Sequence, residues 1–434
     1  MKTVGDAAEF LSGGTPKKST EAFWNGDIPW FSASNMHDKF LATSDLNITD
    51  VGLKAGSRMA PSGTTLLLVR GSGLFNHIPI CFADRDVAFN QDVKAIVAKD
   101  GVDPLYLHYT LEAHRRELAS NLGVTGIGAG KFDTDFLKKL SFVHRDKGEQ
   151  EEIGRLASAY DRKIELNRRM NETLEEMARA LFRDWFVDFG PTLRQAEGAT
   201  DPAAIMGHAF PPEKAATLAP LFPAKLRDDG LPEGWIKQPV GELAEIVGGG
   251  TPNTKTEAFW EGGTHLWATP RDLSKLSGVF ISNTERKLTD AGLAKVSSGL
   301  SPKGSVLMSS RAPIGYLAIA SEAVAVNQGF IVMRPTDQFP THFAKLWCET
   351  NMETIEANAN GSTFQEISKK NFKPILVTVP SSEGMAAFSR VVGMLFDKVQ
   401  ANEQENQTLA EMRDLLLPKL MSGEIRLKDA EKRL

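Results

Sequence analysis

The paired donors of arginine and the donor–acceptor amides of asparagine and glutamine are best suited to phosphates and base edges, and in this 434-residue chain they recur at matched places. Arg70, in LLLVRGSG, and Arg311, in LMSSRAPIG, each follow a β-type run and open a Gly-rich turn. A guanidinium there suits a phosphate contact, and a structural salt bridge is its competing use. Asn90-Gln91 and Asn327-Gln328 end the strings VAFNQ and VAVNQ. Such amides can pair bidentately with adenine, but they also interrupt apolar strands, where amides bond nearby backbone; the structural use ranks first. Trp24, Trp30, Trp260 and Trp267 could stack on bases, although core packing is the stronger reading.

Other chemistry is missing from the sequence. It holds no GxxxxGK[ST] phosphate loop, no Asn-Pro-Pro-Tyr/Phe string and no HExxH. Gly126–Lys131 is better read as a turn than as a phosphate cradle. Cys81 and Cys348 stand alone in apolar surroundings and read as reduced core residues. With 50 basic and 55 acidic residues the net charge is -5, so no strongly basic nucleic-acid footprint exists. The opening MKTVGDAAEF lacks a signal-peptide core, and no window approaches the roughly 18 apolar residues of a membrane helix. A cytoplasmic protein without membrane contact is expected.

The elements that must position these side chains come in duplicate. VGDAAEFLSGGTPKKSTEAFW at Val4–Trp24 and VGELAEIVGGGTPNTKTEAFW at Val240–Trp260 are identical at 13 of 21 positions. ITDVGL answers LTDAGL, and ETLEEM at Glu172–Met177 answers QTLAEM at Gln407–Met412. So long a period marks two duplicated modules rather than a solenoid. Short β-type runs (Thr64–Val69, Val87–Val97, Ser305–Ser309, Val324–Met333) alternate with turns, and helices are expected around Leu105–Asn121 and Phe339–Ala359. After each module, apolar residues keep a three-four spacing: Ile153, Leu156, Tyr160, Met170, Leu174, Met177 and Leu181, then Phe388, Val391, Leu395, Asn402, Leu409, Met412 and Leu416. That predicts two long helices packed on each other, with Asn167 and Asn402 either in the seam or facing solvent. A helix of about 35 residues spans about 50 Å, or about one and a half turns of B-DNA. The Pro-rich stretch 188–234 reads as a linker with one short helix at most.

GGTPxxxxxEAFWxG, the hydrophobic-Trp steps Pro29-Trp30 and Leu266-Trp267, the VA-x-NQ strings, LPEGW at Leu231–Trp235 and a long helix after each module together resemble Type I restriction specificity subunits. The resemblance implies an α+β fold: two pseudo-repeated mixed α/β target recognition domains joined by two long antiparallel coiled-coil helices. Its divisions are domain one at 1–148, the first spacer helix at 149–187, the linker at 188–234, domain two at 235–381, and the second helix with its tail at 382–434. It also implies a non-catalytic subunit that reads a bipartite site in double-stranded DNA, one domain per half-site. Two methyltransferase subunits and restriction/motor subunits would be its partners. S-adenosylmethionine, ATP and Mg would belong to those partners, and this chain would hold no cofactor or metal. The rival reading is a two-headed coiled-coil interaction adaptor without DNA sequence specificity.

If the modules read different half-sites, base readers should lie where the copies diverge. One divergent set is Ser32, Asn35 and His37 against Thr269, Arg271 and Asp272. Asn76 and His77 have no clean counterpart. Thr125, Lys131 and Asp133 stand against Ser362, Thr363, Gln365, Lys369 and Lys370. Lys17 and Lys18, replaced by Asn253 and Thr254 in the second copy, are candidate phosphate contacts. Residues 1–148 hold 17 basic and 17 acidic side chains, and residues 231–380 hold 14 of each. Phosphate neutralisation alone would therefore bind DNA weakly.

Overall fold

The computed structural model describes residues 2–126, 128–361 and 365–425. The chain divides into two compact units, Met1–Leu166 with Glu405–Leu434, and Asn167–Gln404. Each contains one module and its share of both long helices.

In the first unit a five-stranded sheet has the order Ala8–Ser12, Val93–Ala98, Thr65–Leu68, Ile80–Ala83, Phe40–Leu41. The second unit repeats it with Glu245–Val247, Phe330–Arg334, Val306–Ser310, Ile314–Ala320 and Phe280–Ile281. A smaller sheet accompanies each, in which the tryptophan strand pairs in parallel with the VA-x strand: Trp30 opposite Ala88, Trp267 opposite Ala325. Each module also joins its own ends, Lys2–Thr3 pairing with Ser141–Phe142 and Ile236–Pro239 with Leu376–Val379.

The runs expected as single strands at Val87–Val97 and Val324–Met333 are each two strands, in different sheets. The break falls at the Asn-Gln pair. Asn90 Oδ1 accepts the Asp92 amide at 3.0 Å, and Asn327 Oδ1 accepts the Gly329 amide at 2.8 Å. An amide that bonds backbone two residues ahead replaces a ladder bond and lets the chain change sheets. Cys81 and Cys348 are buried free thiols.

The long helices are Lys147–Phe186 and Ser382–Ser422. Within each unit they pack antiparallel: Asp161 meets Arg413 in the first, and Phe182 meets Phe388 in the second. Asn167 and Asn402 are both fully buried, and Asn402 Nδ2 donates to Asn171 Oδ1 at 2.8 Å. Two expected seam residues do not belong there: Met170 and Met177 are exposed. The buried row instead runs through Ile164, Asn167, Asn171, Ala178 and Phe182, because the polar Asn171 takes the seam place that an apolar-only pattern gives to its methionine neighbour.

The stretch 188–234 is more structured than a linker. It forms helices Gly190–Ala196, Pro202–Ile205 and Pro212–Leu218, and Phe222 packs on Trp185 at 4.9 Å. No helix among the described residues is long and apolar enough to cross a membrane.

Candidate nucleic-acid interface

The repeated motif builds a clasp. In the first module Gly14 N–H donates to the Phe89 carbonyl at 2.9 Å, and Trp30 Nε1 donates to the Gly14 carbonyl at 3.2 Å. The second module matches it with Gly250 to Val326 at 3.0 Å and Trp267 to Gly250 at 3.0 Å. Trp24 and Trp260 cap the same loops through the Lys17 and Asn253 carbonyls and pack edge-on against Trp30 and Trp267. The tryptophans are therefore packing residues with satisfied indoles, as buried Trp requires. Glycine is obligatory at the clasp: a Cβ on Gly13 would lie 2.1 Å from the Phe89 carbonyl oxygen, and one on Gly249 would lie 2.0 Å from that of Val326.

Beyond the clasp, the glutamines differ from their asparagine neighbours. Gln91 and Gln328 are exposed, and each accepts the hydroxyl of the motif threonine through Oε1, Thr15 at 2.8 Å and Thr251 at 2.5 Å. That bond fixes each glutamine amide at the loop surface. Asn90 is buried and bonded inside its corner, and Asn327 has its oxygen committed in the same way, which favours the structural use of both.

The shared arginines lie in a short ribbon. Arg70 pairs in backbone register with Lys131, which pairs in turn with Gly123. Arg311 pairs with Glu366, and Glu366 with Asn360. The ribbon thus sets Arg70 against Lys131, with Thr125 just beyond the paired strands, and its Gly130–Lys131 strand contacts the turn Ser72–Phe75, whose end carries the exposed Phe75 and Asn76. Thr125 spends its hydroxyl on the Ala129 amide at 3.0 Å, which shapes the ribbon tip. Both arginines are salt-bridged and partly exposed, but to acids from different places. Arg70 meets Asp92 at 2.6 Å, whereas Arg311 meets Glu366 at 3.5 Å. Asp92 corresponds to Gly329, so the second module has moved its acid onto the ribbon. The register also corrects the sequence pairing, since Lys131 stands against Glu366, a residue the divergence argument missed. The signal was present in NQD against NQG.

Several divergent candidates prove to be loop struts. Asn35 accepts the Ser32 amide at 2.7 Å and donates to Trp30 O at 2.9 Å and Ser44 Oγ at 2.8 Å. Ser32 is buried beside it. Thr269 caps Pro270–Ser274 in a reciprocal box with Asp272. In Ser32, Asn35 and Thr269 the polar side-chain atoms already have internal partners, which suits a scaffold use. His37 is exposed with Nε2 2.8 Å from the Ser34 carbonyl, and Arg271 is exposed near Glu285 at 3.7 Å. Lys17, Lys18, Lys131, Gln365, Lys369 and Lys370 are exposed. Ser362 and Thr363 lie outside the described residues. Lys369 and Lys370 open a one-turn helix, Lys369–Phe372. No group of acids, histidines and cysteines suited to a metal occurs among the described residues.

The sequence model described as the Type I restriction modification DNA specificity domain matches residues 1–176 and 232–409. The chain is 30% identical over 325 residues to the Type I restriction enzyme HindI specificity subunit of Haemophilus influenzae, covering 67% of this chain and 70% of that one. It is 24% identical over 443 residues to the MjaIX specificity subunit of Methanocaldococcus jannaschii, covering 99% and 94%. The fold is similar to that of the Type I restriction-modification S subunit of M. genitalium, with TM-score 0.59, 16% identity and coverage of 97% and 95%. A duplicated clasp, a repeated sheet order and a family match spanning both modules lead to one assignment: the chain belongs to the Type I restriction-modification DNA specificity family.

Proposed function

We propose that this chain is the non-catalytic, sequence-specific DNA-binding subunit of a cytoplasmic Type I restriction-modification complex. Each module reads one half of a bipartite duplex site, and the chain directs methyltransferase and restriction subunits to it. S-adenosylmethionine, ATP and Mg would serve those partners. One observation carries the reading. The modules share their sheets, clasp and anchored glutamine, yet surround the shared arginine with different side chains, as two readers of different sequences would. The relatives named as specificity subunits support the same conclusion. With neutral modules, much of the DNA affinity would come from partners closing on the duplex.

The test is to exchange residues 1–148 for the matching module of a relative and map methylated sites in cells carrying the complex. One half-site is expected to change while the other stays. A change in both, or in neither, would count against independent readers.

A further inference from the structure

The duplication provides an internal comparison at the helix beneath each main sheet. Leu67 pairs with Lys94 and Ile80 in the first module, and Met308 pairs with Ile331 and Leu317 in the second. The helices Pro104–Ala113 and Arg115–Ser120 match Thr341–Thr350 and Met352–Ala357 in length and order. By this register Ile78 corresponds to Gly315, Glu112 to Glu349, and Arg115 to Met352.

In the first module these three residues form a filled site. Arg115 donates through Nε and an Nη to the two oxygens of Glu112, both at 3.0 Å, and through its other Nη to the Ile78 carbonyl at 2.6 Å. Lys39 adds a second cation 3.2 Å from Glu112. In the second module the acid is kept and the guanidinium is gone. Glu349 Oε1 accepts from Lys345 at 2.6 Å, but its Oε2 is buried and no donor among the described residues reaches it. A cavity of about 500 Å³ lies there, lined by Leu273, Gly315, Tyr316, Glu349 and Met352. A buried carboxylate oxygen without a donor is costly enough that its partner should be sought.

We propose that this cavity in the second module binds an alkylguanidinium group, in the place that Arg115 fills in the first. Glu349 supplies the charge-assisted contact, while Met352, Tyr316 and Leu273 offer apolar and aromatic surface to the alkyl arm and the cation's face. The inference is independent of how DNA is read. The group could come from a small free cation or from an arginine of a partner subunit.

The probe is ethylguanidinium chloride, followed by the methyl resonance of isotope-labelled Met352 and by calorimetry on the full chain. Saturable binding is expected in the millimolar range, about 4 kcal/mol. It should weaken at least tenfold in Glu349→Gln and vanish in Met352→Arg, where the new side chain fills the site itself. The absence of saturable binding, or equal affinity in a folded Glu349→Gln or Met352→Arg variant, would overturn the proposal and leave a water-filled cavity. Should Glu349→Gln fail to fold, Met352→Arg decides alone. The source is then read in the assembled complex. Loss of the ethylguanidinium shift there indicates a partner arginine already seated, and its persistence indicates a free cation.

Discussion

Where the first module meets its helices, charge does the fastening; at the matching place in the second, rings do much of it. Asp161 accepts the Tyr109 hydroxyl at 2.7 Å, lies 2.6 Å from Lys39 and also pairs with Arg413. By the ETLEEM–QTLAEM alignment its counterpart is Phe396. That ring stacks on His342 at 4.6 Å and lies 5.4 Å from the Lys345 ammonium. A separate carboxylate, Glu403, ties the second module down through the Val279 and Phe280 amides at 2.7 and 3.2 Å. One scaffold thus tolerates two ways of filling the same joint.

The two joints should fail differently. Asp161→Asn and Phe396→Ala are each expected to cost about 3 kcal/mol in the unit that carries them, the first by taking the charge partner from the half-buried Lys39 and Arg413 and the second by opening a cavity. Hydrogen exchange resolved by unit measures both. Their pH dependence separates them. Burial alone would raise the Asp161 carboxyl, but Lys39 and Arg413 outweigh it and hold the group below the usual range. A depressed carboxylate stabilises above the unfolded range and loses that contribution as pH falls through its folded value. The deficit of Asp161→Asn should therefore shrink in acid, while that of Phe396→Ala should be far less affected by Asp161's titration. Glu403 runs the other way: burial raises its carboxyl, so its linkage favours the folded second unit as pH falls. A pH-independent deficit at Asp161 would remove the distinction between the joints.

Features the modules share should instead give matched effects. Trp30→Phe and Trp267→Phe each delete one indole bond to a clasp carbonyl and keep most of the ring. A loss of about 1 to 2 kcal/mol is expected in each unit, since the Gly14 or Gly250 carbonyl is left short of a donor. Thermal denaturation of the two variants compares them directly. A loss confined to one module would mean that the clasp is used unequally.

The duplication, the clasp motif and the long helices were legible because identity at a fixed offset and a three-four apolar spacing survive without any coordinates. The Asn-Gln corner was half legible: its structural use was anticipated, but the change of sheet was not, because an apolar run reads the same in one strand or two. Met170 and Met177 were misplaced because a seam that admits Asn171 breaks an apolar-only pattern. Glu366 was signalled only indirectly, by NQD against NQG, and the counterpart of the Arg115 site, where Met352 stands, by no single residue. Both depend on backbone register, which slips by a residue or more between the copies. Divergence proved a poor guide to exposure as well, since Ser32, Asn35 and Thr269 differ between the modules yet are spent on their own loops.

The smallest stability effect carries the sharpest question about the ribbon. Arg70–Asp92 and Arg311–Glu366 are partly exposed pairs, so Asp92→Asn or Glu366→Gln should change stability by less than about 1 kcal/mol. Each substitution nevertheless frees a guanidinium that the two modules restrain with acids from different elements. If the arginines touch phosphate, releasing either one strengthens binding at low salt and steepens the dependence of log affinity on log salt by about one unit. If they serve only as struts, the slope stays unchanged. The measurement is a salt titration of DNA binding by the assembled complex, with each variant alone and then both together. Additive steepening would place both arginines on the duplex. Steepening for Asp92→Asn alone would assign phosphate contact to the first module only, because there Lys131 flanks the freed arginine, where the second module holds Glu366.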